Sequence, residues 1–126
     1  MFTECMPNLY CKDIQASLTF YRDLLGLRQT YQFPATGVPE HVEFKIGDSY
    51  IAISSPKGLE SHHLPPATYG QSFELALHAQ DTDAVVAQLR GAGVPVMLEP
   101  QIAPNGLRIA YVLDPDGNRI HLYSSM

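Results

Sequence analysis

Hydrophobic residues along the chain recur with two different periods. Val42, Phe44 and Ile46 alternate with His41, Glu43 and Lys45, and Ile51 and Ile53 alternate with Tyr50, Ala52 and Ser54. The same alternation sets Leu9 and Cys11 against Asn8 and Tyr10. It also sets Leu75 and Leu77 against Glu74, Ala76 and His78, and Ile120 and Leu122 against His121 and Tyr123. A period of two predicts strands with one buried face. Ile14, Leu18, Tyr21 and Leu25 instead repeat at helical spacing and stop at Gly26, and Val85, Leu89 and Ala92 do the same before Gly93. Asp13 and Asp81 stand where helix N-caps are needed. After the helices, strands are predicted over 27–33, 41–46 and 50–54, and again over 95–98, 107–113 and 119–124. Asn105-Gly106 and Asp114-Pro115-Asp116-Gly117-Asn118 supply the turn chemistry between the later strands.

This order of elements is used twice. Leu9-Tyr10-Cys11-Lys12-Asp13 matches Leu77-His78-Ala79-Gln80-Asp81 at a shift of 68 residues. Gly37 with Gly106, Phe44 with Leu113, and Ile51-Ala52-Ile53 with Ile120-His121-Leu122 match at 69. The expected fold class is α+β, with two tandem βαβββ modules forming cupped sheets around a cavity, either within one chain or between two. The expected organisation is one domain over 1–126, with module one at 4–55, a surface linker at 56–71 and module two at 72–126.

Strand parity places Leu9, Cys11, Phe44, Ile51, Ile53, Leu75, Leu77, Ile120 and Leu122 on the helix side. The other side receives Asn8, Tyr10, Tyr50, Ala52, Ser54, Glu74, Ala76, His78, His121 and Tyr123. Three tyrosines and few charges on that face predict a lined pocket. A mixed exposed face or an oligomer surface is the alternative.

Composition narrows the partners. The 126 residues suit one domain with a real core. Eight Lys plus Arg and a formal net charge of -5 leave no basic stripe for a phosphate backbone, so no nucleic acid is expected. No apolar run reaches the ~18 residues of a membrane span, so no membrane partner is expected. Met1 to Pro7 has neither a basic patch nor an apolar run, so no signal peptide is expected. Cys5 and Cys11, read on one strand, would lie roughly 20 Å apart. That is too far for a bridge, and both are expected as buried thiols in a reducing cytoplasm.

Three motifs bring a family into view. The first is Asp13 followed by Ser17-Leu18-Thr19-Phe20-Tyr21-Arg22-Asp23-Leu24-Leu25-Gly26, the second is the helix from Asp81 to Gly93, and the third is Asp114-Pro115-Asp116-Gly117-Asn118-Arg119-Ile120-His121-Leu122. In order and spacing they resemble the vicinal-oxygen-chelate superfamily, which comprises glyoxalases, bleomycin-resistance proteins and extradiol dioxygenases. The resemblance covers nearly the whole chain and implies the glyoxalase/bleomycin-resistance/dioxygenase fold. In metal-dependent members each half gives two ligands, and the matching positions here read Met6, Ala52, Glu74 and His121. Alanine coordinates nothing, and a thioether suits copper(I) rather than hard divalent ions. No cofactor is therefore favoured. If a divalent metal is bound, Glu74 and His121 are its expected ligands, helped by His78, Tyr10 or water. Without one, the pair would form a charge-assisted hydrogen bond across neighbouring strands.

His121 within the closing motif, and Pro7 ahead of Leu9-Tyr10, are similar to the metal-free, bleomycin-resistance-like branch. That likeness implies a small-molecule-binding protein that sequesters a planar, antibiotic-like ligand in a metal-free cavity. It also implies a homodimer, with swapped modules or first strands as one arrangement. The expected ligand-binding residues are Met6, Asn8, Tyr10, Tyr50, Ala52, Glu74, His78, His121 and Tyr123, and catalytic residues are left unassigned. The alternative is a metal-dependent glyoxalase-like lyase or isomerase, or a dioxygenase. Adjacent His62 and His63 point opposite ways on an extended segment and read as a solvated pair or a lid over the cavity. Ser54, Ser55, Ser124 and Ser125 sit in strand-end pairs with no sharp nucleophile turn, so no nucleophile stands out.

Overall fold

Residues 1–125 are described by a computed structural model, which separates into two compact units, Met1–Tyr69 and the chain from Gly70 onward. Each unit is built on a four-stranded mixed sheet.

The first unit runs β1 (Asn8–Tyr10), α1 (Ile14–Leu18), β2 (Arg28–Phe33), β3 (His41–Ile46), β4 (Ser49–Ser54) and α2 (Pro56–Ser61). Its sheet order is β1-β4-β3-β2, with β1 parallel to β4 and the other neighbours antiparallel. Asp13 caps α1, its carboxylate accepting from the backbone N–H groups of Gln15 and Ala16. The helix then widens into a π-helical segment, Thr19–Leu24, which replaces the continuous α-helix expected up to Gly26. The wider turn rotates Phe20 inward beside Tyr21, and both are buried with their rings packed edge to face. Ile14, Leu18 and these rings cover Val42, Phe44, Ile51 and Ile53 on the sheet.

The second unit repeats the plan with β5 (Leu75–His78), α3 (Thr82–Gly91), β6 (Val96–Ile102), β7 (Arg108–Leu113) and β8 (Arg119–Ser124), in the order β5-β8-β7-β6. Asp81 caps α3 by accepting from the Ala84 N–H. The buried stripe of α3 is Thr82, Val86 and Leu89, so Val86 takes the inward place that the periodicity assigned to Val85. The inner face of the sheet contributes Ala110, Val112, Ile120 and Leu122.

Strand register confirms the duplication and corrects its alignment. Leu9 pairs with Ile53, and Leu77 pairs with Leu122, so β1 and β4 map onto β5 and β8 at shifts of 68 and 69. Phe44 pairs with Ile51, however, and Val112 pairs with Ile120. The counterpart of Phe44 is therefore Val112 rather than Leu113. One extra residue sits in the β7–β8 turn, where buried Asp114 holds the backbone. Its Oδ1 accepts from the N–H groups of Asp116 and Asn118, and its Oδ2 accepts from the Asn118 side chain.

Two further expectations change. Residues 56–61, read as surface linker, are the helix α2. Ser55 caps it by accepting from the Gly58 N–H at 3.1 Å, Pro56 occupies its first turn, and Gly58 and Leu59 are buried. Pro at the first helical position needs no N–H and is preset for helical φ. Cys5 is exposed and precedes β1, whereas Cys11 is buried with its thiol against the Ser54 carbonyl. Among the described residues no helix is long and apolar enough to cross a membrane.

Candidate functional site

In the first unit the sheet face opposite α1 opens into a cleft of about 480 Å³. Tyr31 and Phe33 come from β2, Tyr10 and Asn8 from β1, and His41 and Ser54 from neighbouring β3 and β4. Leu59 and His62 reach it from α2 and its C-terminal end, with Glu40 and Leu64 from the flanking chain. The α2 wall is set by backbone contact, since a Cβ on Gly58 would stand 2.7 Å from the Glu40 carbonyl oxygen. Only glycine lets the helix come this close.

A hydrogen-bonded chain crosses this cleft. His41 and Ser54 are register partners on β3 and β4, so their side chains share a face. The His41 Nδ1 lies 2.8 Å from the Ser54 Oγ, and the Nε2 lies 2.9 Å from a Glu43 carboxylate oxygen. The Ser54 hydroxyl donates to the Asn8 side-chain oxygen at 3.0 Å. Farther along the cleft wall, the Ser61 hydroxyl donates to Glu40 at 2.6 Å. The described lining contains carboxylate and imidazole groups but neither lysine nor arginine.

The second unit presents a different surface at the equivalent place. Tyr111 and His121, register partners on β7 and β8, stack with centroids 4.7 Å apart and planes within 4°. Tyr123 lies 5.7 Å from His121 and 5.1 Å from His78, which continues the ladder onto β5. The Tyr111 hydroxyl donates to Glu74 at 3.1 Å, and the same carboxylate oxygen lies 3.6 Å from the His121 Nδ1. The His121 Nε2 is buried without a hydrogen-bond partner among the described residues. Burial pushes the Tyr111 hydroxyl above its ordinary ionisation range, and the hydrogen bond to Glu74 adds to the rise.

The predicted residues thus separate into groups. Asn8 and Tyr10 line the first-unit cleft. Ala52 is on the same face but fully buried, between its register partners Asn8 and Glu43. Tyr50 is half-buried with the Lys45 ammonium 5.8 Å from its ring centre, and Met6 is exposed ahead of β1. Neither lines the cleft. Glu74, His78, His121 and Tyr123 form the second-unit ladder. Of the histidine pair, His62 lines the cleft while His63 does not, and the His62 Nδ1 lies 2.9 Å from the Gly58 carbonyl.

Sequence reasoning missed Tyr111, Tyr31, Phe33 and the link from His41 to Ser54. Parity does not place Tyr31 and Phe33, because a bulge between Gln29 and Tyr31 switches the face of β2 midway, and apolar residues on both parities of 107–113 leave Tyr111 unassigned. The His41–Ser54 contact depends on hairpin register, for which the short Gly47-Asp48 turn is the only local signal.

The donor set at the four ligand positions does not fit a divalent metal centre. Ala52 has no donor atom, and Met6 offers only a thioether. Among the described residues no group of three or more His, Cys, Asp or Glu side chains is arranged to hold a metal.

Comparison with known proteins agrees on the architecture. A family model described as the Glyoxalase/Bleomycin resistance protein/Dioxygenase superfamily matches residues 3–122. No curated protein gives a significant match. Among solved structures, lactoylglutathione lyase from Agrobacterium tumefaciens is similar at 23% identity, covering 97% of this chain and 92% of its own, with a TM-score of 0.74. TioX from Micromonospora sp. ML1 is 18% identical over 99% of this chain and 100% of its own, with a TM-score of 0.77. A glyoxalase/bleomycin resistance protein/dioxygenase family enzyme from Burkholderia phytofirmans PsJN is 21% identical over 96% and 97%, with a TM-score of 0.80. At such identities the likeness establishes the fold.

Proposed function

The chain belongs to the Glyoxalase/Bleomycin resistance protein/Dioxygenase superfamily, and from that premise we propose that it is a small-molecule-binding protein whose first unit takes up a planar, cationic ligand without a metal. The observation that carries this reading is the cleft itself. Three half-exposed rings, Tyr10, Tyr31 and Phe33, stand around it beside the Glu40 carboxylate, with no fixed positive charge in the described lining. Aromatic faces stack flat molecules and attract cations, and a carboxylate fixes the orientation of a basic nitrogen. A volume of about 480 Å³ suits a ligand of two or three fused rings. The absence of a donor atom at Ala52 supports binding over metal chemistry. The expected homodimer is proposed with it, and light scattering of the purified protein reads it directly.

Titration of metal-free protein with planar dyes tests this. The chain has seven tyrosines and no tryptophan, so ligand stacking reports through tyrosine emission. Saturable binding of an acridinium or phenanthridinium cation, weaker for a neutral isostere, is the expected result. Equal affinity for both forms, or no saturation, overturns the reading.

A further inference from the structure

The chain of hydrogen bonds from Glu43 to Asn8 has the composition and spacing of an acyl-transfer site. We propose that Ser54 is a nucleophile toward small aryl esters, with His41 as its base, Glu43 orienting the imidazole and Asn8 supplying an amide donor. The proposal rests on the reading that the first-unit cleft admits flat ligands.

The fold delivers all four groups to one face. His41 and Ser54 are paired directly on β3 and β4, and Glu43 follows two residues along β3. Asn8 on β1 pairs with Ala52, two residues before Ser54 on β4. The nucleophile–base distance of 2.8 Å and the base–carboxylate distance of 2.9 Å both lie within hydrogen-bond reach. Such an arrangement is recognised by geometry and roles rather than by sequence position. Ser54 is 5% exposed, and both it and His41 line the cleft.

The same heavy atoms support two proton arrangements. With Asn8 presenting its oxygen, Ser54 donates to Asn8 and accepts from the His41 Nδ1–H, while the Nε2–H is donated to Glu43. That form is an imidazolium and leaves Ser54 unactivated. With the carboxamide turned to offer its N–H, His41 is neutral. Its Nε2–H still goes to Glu43, and Ser54 donates to the free Nδ1.

In the second form the Ser54 Oγ attacks the ester carbonyl carbon and its proton passes to the His41 Nδ1. The bond from carbonyl carbon to aryl oxygen breaks, and the phenol leaves with that proton. The Asn8 N–H, next to the attacking oxygen, is placed to donate to the developing oxyanion. Water then attacks the acyl group through the same base, releasing the carboxylic acid and restoring Ser54.

An alkyl fluorophosphonate tests this on the whole chain, because a bond to phosphorus forms as fluoride leaves and the adduct persists. Intact mass and peptide mapping are expected to find one adduct per chain, on Ser54. His41→Gln is expected to slow labelling about 100-fold, and p-nitrophenyl acetate should be hydrolysed in proportion to the Ser54 that remains unlabelled. No adduct on wild-type Ser54, adducts on tyrosines instead, or unchanged labelling in His41→Gln each overturn the proposal. The dye titration on the same preparation separates the two readings. Dye binding without labelling removes the acyl-transfer proposal alone, and labelling without dye binding removes the planar-cation reading alone.

Discussion

Tyr111 and His121 lie ring over ring, 4.7 Å between centroids, with the Tyr111 hydroxyl tied to Glu74. In the first unit the corresponding register partners are Glu43 and Ala52. An aromatic pair in one unit thus stands where the other has an acid beside a methyl group. The duplicated sheet carries two unlike surfaces, and four predictions follow from that contrast and from the elements that hold it.

Tyr111 is held protonated by burial first and by Glu74 second. Glu74→Gln should let Tyr111 ionise more readily, seen as phenolate absorbance rising at lower pH, but burial should keep its ionisation above that of a free tyrosine. The linkage sign is set by a folded value raised above the unfolded one. The stabilising contribution is complete below the free-tyrosine value of about 10 and is lost as pH rises through the folded value. Denaturant midpoints at alkaline pH should therefore fall less steeply in Glu74→Gln than in the wild type. An unchanged phenolate titration would remove Glu74 from the account.

Glu40→Gln should weaken binding of a planar cation while leaving a neutral isostere unaffected. Tyr10→Ala and Phe33→Ala should weaken both, each by about 1 kcal/mol, or roughly fivefold in Kd. Calorimetry on the two ligands reads the difference.

Gly58→Ala should destabilise the first unit despite alanine's better helix propensity, because its Cβ would lie 2.7 Å from a backbone oxygen. Overpacking of this kind typically costs about 1–3 kcal/mol. Ser55→Ala should cost about 1 kcal/mol by removing the α2 cap. Denaturant midpoints give both values, and Gly58→Ala should also impair ligand binding because α2 forms one wall of the cleft.

Asp114→Ala removes the acceptor for two backbone N–H groups and one side-chain amide in the β7–β8 turn. The expected loss is about 1–3 kcal/mol. Asp114→Asn should recover part of it, since one carboxamide oxygen can still accept from the backbone. Hydrogen exchange at β8 amides should accelerate in the alanine variant.

The scaffold is legible in the amino-acid pattern alone. Period-two alternation identified the buried sheet faces, Asp13 and Asp81 announced the helices, and the repeat revealed one unit used twice. These features are local, and each residue's role follows from neighbours a few positions away. The α2 helix was legible too, in Ser55 followed by Pro56, but the polar composition of 56–71 outweighed that cap signal. Tertiary structure decided which side chains meet. His41 touches Ser54 only because a two-residue turn fixes the β3–β4 register, and a slip of one residue would send them to opposite faces. The extra residue in the β7–β8 turn likewise moved the counterpart of Phe44 from Leu113 to Val112. Contacts across strands depend on turn length and pairing, which a one-dimensional pattern does not encode. The duplication is therefore one of backbone, and each half takes its chemistry from the different residues that a shared register brings together.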